Sequence, residues 1–157
     1  MSTFQLVGLD PAPFAPLFAL PDEVLRARGV MRLRADSAPG YPCRVSLEDA
    51  VVGEELLLLP YTHMEGPSPY QATGPIFVRR GAQRRILAPG GVPQYITGRL
   101  ISVRTYDAAG MMIDADVCEG EVVAARIDGF FANSAAQFIH LHNARPGCFA
   151  CRVERVA

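Results

Sequence analysis

From Leu100 to Val156 the hydrophobic pattern changes period twice, and this restricts the fold more than any other feature of the chain. Leu100 to Tyr106 and Met111 to Val117 flank the turn "DAAG", and Gln137 to His142 and Phe149 to Val156 flank "NARPG". Alternating apolar segments around a short turn predict an antiparallel hairpin in each case. Between them, Glu121 to Asn133 carries Val123, Ile127, Phe130 and Phe131 at the spacing of an amphipathic helix. Hairpins with one substantial helix make an α+β protein with a mostly antiparallel β-sheet, one main helix at about 121–133 and a C-terminal hairpin.

The upstream half is cut into shorter pieces. Phe4 to Gly8 reads as a strand, stopped by "DPAPFAP", whose prolines are excluded from helix interiors and central strands. Pro21 to Leu25 places proline and two acids where a helix start favours them. Strands are expected at Cys43 to Leu47, Leu56 to Tyr61 and Ile76 to Arg79, with Arg44 turned outward from a core set of Cys43, Val45 and Leu47. Thr62 to Pro75 reads as one long irregular loop, a length often kept for function. No repeat, charge block or linker divides the 157 residues, so residues 1–157 form a single globular domain.

Several functions are excluded by what the chain lacks. All fifteen cationic residues are arginine. Without lysine there is no Schiff base, no pyridoxal phosphate attachment and no phosphate-loop lysine, so no cofactor of these kinds is expected. A formal charge of -1 supplies no field for nucleic acid, and the cluster Arg79, Arg80, Arg84 and Arg85 lacks interleaved aromatics. "MSTFQLVGLDPAP" has no signal-peptide pattern and no segment approaches the roughly 18 apolar residues of a membrane span, so a cytoplasmic protein without disulfides is expected.

"GYPCRVSLEDA", "GEELLLLPY", "SPYQATGPIFVR", "YDAAGMMIDADV" and "HLHNARPGCFACRVER" together resemble the bacterial family of domains of unknown function numbered 1203. The resemblance covers nearly the whole chain and is strongest from about Gly40 to the C-terminus. It implies a small single-domain protein, and carries no reaction and no catalytic residues.

Candidate chemistry therefore rests on the residues themselves. In "HLHNARPGCFAC", Ile139 and Leu141 take the core face of a strand and His140 and His142 share the other face. Regular alternation puts Phe149, Cys151 and Val153 in the core and leaves Cys148, Ala150 and Arg152 outward. His140, His142 and Cys148 are the candidates for catalysis, against the plainer expectation of a solvated sheet face. Metal is not expected; the set that would bind it is His140 and His142 with Cys148, Asp114 or Asp116. Arg44, His63, Tyr70 and Arg79 converge from the long loop and its neighbours as candidate ligand contacts. The favoured reading is a small-molecule binding domain for an anionic ligand. A hydrolase or isomerase using His140 or His142, with or without a divalent metal, and a protein-interaction module docking through a strand edge or the arginine loop are the alternatives. Whether the chain is an enzyme, and its oligomeric state, are left open by the sequence.

Overall fold

The computed structural model describes residues 4–156. In chain order the elements are β1 (Phe4–Val7), α1 (Asp22–Ala27), β2 (Met31–Arg34), β3 (Pro42–Cys43), β4 (Glu48–Asp49), β5 (Glu55–Met64), β6 (Ala72–Arg79), α2 (Gln94–Thr97), β7 (Leu100–Tyr106), β8 (Met112–Glu119), α3 (Val123–Phe131), β9 (Phe138–Asn143) and β10 (Phe149–Arg155). Short 3-10 turns cover Ala15–Ala19 and Gly120–Val122. The α+β class stands, but the strands divide into two five-stranded sheets. One runs β1-β10-β9-β7-β8 and is wholly antiparallel. The other runs β2-β5-β6-β3-β4, with a single parallel pairing, Cys43 opposite Phe77. Among the described residues no helix is long and apolar enough to cross a membrane.

Both expected hairpins form, β7 with β8 and β9 with β10. The helix covers its whole apolar stripe but is shorter than the expected 121–133, because Gly120–Val122 winds as a 3-10 turn before α3 begins and α3 ends at Phe131. Val123, Ile127 and Phe131 of α3 are buried on the first sheet, against Ile101, Val103, Ile139, Leu141 and Val153. This is the core that the alternating patterns encode. The second sheet builds a separate core from Leu57, Leu59, Ile76 and Val78, roofed by Phe14, Phe18 and Leu25 from the proline-rich segment and α1.

Three local expectations are corrected. The stretch Thr62–Pro75 is mostly strand: β5 runs on to Met64 and β6 starts at Ala72, leaving only residues 65–71 irregular. The Thr62 and Thr73 hydroxyls lie 2.8 Å apart across that hairpin. Cys43 to Leu47 is not a continuous strand; after Cys43 the chain turns, and Leu47 adopts a left-handed φ of 54°. Arg44 is consequently not turned out to solvent but is 1 % exposed.

The third correction concerns β10. The pairing with β9 slips between Phe149, opposite His142, and Cys151, opposite Leu141. This bulge breaks strict alternation. Phe149 joins the core of the second sheet, whereas Ala150, Cys151 and Val153 join the core under α3. Ala150, expected outward, is fully buried.

Candidate functional site

The face of β9 opposite Ile139 and Leu141 is covered by the second sheet. His140 is 2 % exposed and His142 is 1 % exposed, which corrects the expectation of a solvated face. His63, near the end of β5, reaches across to them. Its ring lies 5.0 Å from that of His142 and 6.0 Å from that of His140, centre to centre, and His140 and His142 are 6.4 Å apart. All three histidines of the chain thus meet where the two sheets face each other. Phe149 stacks on His63 at 5.2 Å, and Tyr106, Phe138 and Phe149 surround His140 at 5.1–5.4 Å. The bulge in β10 is what brings Phe149 into this group.

Burial keeps the imidazoles neutral. It pushes His140 down to about 3, assisted by the positive charge of Arg152 and by the other two histidines. His142 falls to about 4, again mainly by burial, with the Gly147 carbonyl opposing and Arg104 adding to the effect. His63 is lowered by burial and by Arg104, against the opposing pull of the Tyr61 backbone. The His142 Nδ1 lies 3.0 Å from the Gly147 carbonyl oxygen, which can only accept, so Nδ1 carries the proton and Nε2 the lone pair. His142 Nε2, His140 Nδ1, His63 Nδ1 and Asn143 Oδ1 are buried without a hydrogen-bond partner. Buried polar atoms are ordinarily paired, so each of these needs a partner that the chain itself does not supply.

Two cavities flank the histidines. The larger, about 910 Å³, opens between β6 and the end of β3 on one side and β7, β9 and the "NARPG" turn on the other. Arg44, His63, Arg104, His142, Asn143 and Cys148 line it. The smaller, about 490 Å³, lies beyond His63 and is lined by His140 and Arg152. Arg44 crosses the base of the larger cavity. Its guanidinium donates to the carbonyl oxygens of Phe149 at 2.7 Å and Pro42 at 2.5 Å, and to Cys148 Sγ at 3.1 Å. Arg104 on β7 donates to Ser102 Oγ at 3.1 Å. Among the described residues neither Arg44 nor Arg104 has a carboxylate within ion-pair distance, while Arg32, Arg79, Arg80, Arg99, Arg126 and Arg152 do.

The four candidate ligand contacts separate into two pairs. Arg44 and His63 line the same cavity. Arg79 lies outside it, held by Glu54 at 3.0 Å, Ser46 at 3.1 Å and Glu48 at 3.6 Å. Tyr70 is 38 % exposed and leans on Tyr106, 6.0 Å between ring centres. Arg104 and Asn143 escaped notice in the sequence. A detectable signal was there for Arg104, the one charged residue of its strand, at the parity of His140 on the neighbouring strand.

The alternative metal set does not assemble. Arg104 pairs across β7 with both His140 and Ala115, so Asp114 and Asp116, flanking Ala115, point to the opposite face from the histidines. Asp116 instead meets Arg126 of α3 at 3.0 Å. Among the described residues no group of three or more His, Cys, Asp or Glu side chains is arranged to hold a metal ion. Cys151 lies in the core as expected, 1 % exposed beneath α3 and apart from Cys148, and burial pushes its thiol up to about 12.

Residues 40–155 match the sequence model of a family described as protein of unknown function, DUF1203. No curated protein and no solved structure matches the chain.

Proposed function

We propose that this chain, which belongs to the DUF1203 family of proteins of unknown function, binds a small anionic molecule in the cavity between its two sheets. One observation carries the reading. Arg44 and Arg104 both line the cavity, and neither guanidinium has a carboxylate partner among the described residues. Glu119 also lines the cavity, but no carboxylate among the described residues lies within ion-pair distance of either guanidinium, which favours an anion there, and the planar fork of arginine suits carboxylate or phosphate. His142 Nε2 and Asn143 Oδ1 add acceptors for a hydroxyl or amide on the same ligand. The same arginines that attract an anion oppose a divalent cation beside the imidazoles, which sets this reading above a metal-assisted one.

Thermal shift with acetate, phosphate and larger carboxylates, at constant ionic strength, tests the proposal. A ligand at about a hundredfold over its Kd stabilises the native state by ~2.7 kcal/mol. For a chain of this size that raises the melting midpoint by several degrees. Arg104→Gln keeps the stem of the side chain, removes the charge, and is expected to abolish the rise. If no carboxylate or phosphate moves the midpoint of the native chain, the proposal fails.

A further inference from the structure

Cys148 is the one of the four cysteines that is not buried. Its sulfur accepts a hydrogen bond from Arg44 Nη2 at 3.1 Å and a longer one from Asn143 Nδ2 at 3.6 Å. The turn holds it in place: Asn143 N donates to the Cys148 carbonyl at 2.9 Å, and Gly147 N to the Asn143 carbonyl at 2.8 Å. Gly147 adopts a φ of 83°, a conformation that glycine takes without strain. The other thiols are shielded. Cys43 is fully buried and its sulfur takes the Arg79 amide at 3.3 Å, burial raises the Cys118 thiol, and Cys151 faces α3.

A second observation marks the surroundings of this sulfur as a ligand site. His142 and Asn143, 1 % and 5 % exposed, line the same cavity, and each keeps one polar atom unpartnered. Cysteine attacks carbon through its sulfur, and Arg44 and Asn143 hold that sulfur at the wall of the cavity. We infer that Cys148 is a nucleophile of this cavity and that its reaction partner is a small anion carrying an electrophilic carbon. The inference rests on the anion-binding reading, since Arg104 and Arg44 recruit the charged end of that partner. In the step, an electron pair on Sγ forms a sulfur–carbon bond. The bond from that carbon to its leaving group breaks, the leaving group departs with the electron pair, and the thiol proton passes to water.

Two alkylating probes that differ only in charge test it. Iodoacetate and iodoacetamide both transfer a two-carbon unit to sulfur with loss of iodide. Their rates at Cys148 are read by peptide mass spectrometry and compared with free cysteine in the same buffer. Cys148 is expected to label before the other three cysteines. Its rate ratio of iodoacetate to iodoacetamide is expected to exceed that of free cysteine on the order of tenfold, the scale of electrostatic focusing in a charged cleft. Arg104→Gln brings the ratio back toward the free value. A ratio no higher than that of free cysteine, or a Cys148 as slow as the buried thiols, overturns the inference. Cys148→Ser, which still accepts from Arg44, separates the two proposals. Inert Cys148 with phosphate or a carboxylate still raising the midpoint of both chains sinks this inference alone, and loss of both responses sinks both.

Discussion

A buried histidine is a residue whose environment has chosen its protonation state, and His140 shows what that choice costs in acid. Folded, it titrates near 3, against an ordinary value near 6.5, because Tyr106, Phe138 and Phe149 exclude water and Arg152 adds positive charge. A depressed folded value means that the unfolded chain binds the proton first as pH falls. The native state therefore keeps its full stability above about pH 6.5 and loses it progressively down towards the folded value. At pH 4.5 the loss from His140 alone is roughly 2–3 kcal/mol, from about 1.4 kcal/mol for each pH unit. His140→Phe suits an aromatic surround and has no proton to take up. Urea unfolding of this variant between pH 7 and 4.5 should show a dependence shallower by about one proton than the native chain, and an unchanged slope would exclude this account. The sequence predicted correctly that His140 and His142 share a face opposite Ile139 and Leu141, because side-chain parity is local. It could not say what covers that face, because His63 and Phe149 arrive from another strand and from a bulge.

At the level of elements, whatever depends on neighbours in sequence was legible and whatever depends on an interruption was not. The β7–β8 and β9–β10 hairpins and the helix between them follow from turn residues and period, as expected. The slip at Phe149–Cys151 and the left-handed Leu47 follow from tertiary contacts that leave no turn residue to read. Phe149 and Arg44 owe their places at the cavity to those irregularities. The edge strand β8 carries a different device. Ala115 N donates to Asp114 Oδ1 at 2.9 Å and Val117 N to Asp116 Oδ1 at 2.8 Å, so two amides of the open edge are capped by the preceding side chains. An edge with free amides and exposed Ile113 and Val117 would template pairing with another chain. This capping argues against the strand edge as a docking surface for a partner. It also predicts that the double substitution Asp114→Ala and Asp116→Ala, which frees both amides and removes two charges, makes the protein self-associate. Light scattering against concentration reads the effect, and a variant with unchanged molar mass would show that the capping plays no such part.

Across the whole molecule, the cavity exists only while the two sheets hold their relative position, and a short strap fixes it. As the chain leaves β1 it passes Gly8, whose amide donates to the Arg85 carbonyl at 2.7 Å, while Leu9 N donates to the Arg44 carbonyl at 2.9 Å. Arg84 Nε returns a bond to the Gly8 carbonyl at 2.8 Å. The first sheet is thereby tied to the turn that carries Arg44. A Cβ on Gly8 would run into the carbonyl groups of Val45 and Arg85, backbone atoms that no rotamer change can clear. Gly8→Ala must therefore push the strap away from that turn, a strain of about 1–3 kcal/mol if it is absorbed locally. Because His63, Phe149 and Arg44 all bridge the sheets, the strain is shared by one cooperative unit rather than by a detachable layer. The urea midpoint of Gly8→Ala should fall while the slope of the transition stays the same, which marks a change in stability rather than in compactness. Shifting Arg44 also alters the base of the cavity, so the anion-induced rise in melting midpoint should shrink in the same variant. A native midpoint with an undiminished anion response would mean that the strap does not set the spacing of the sheets.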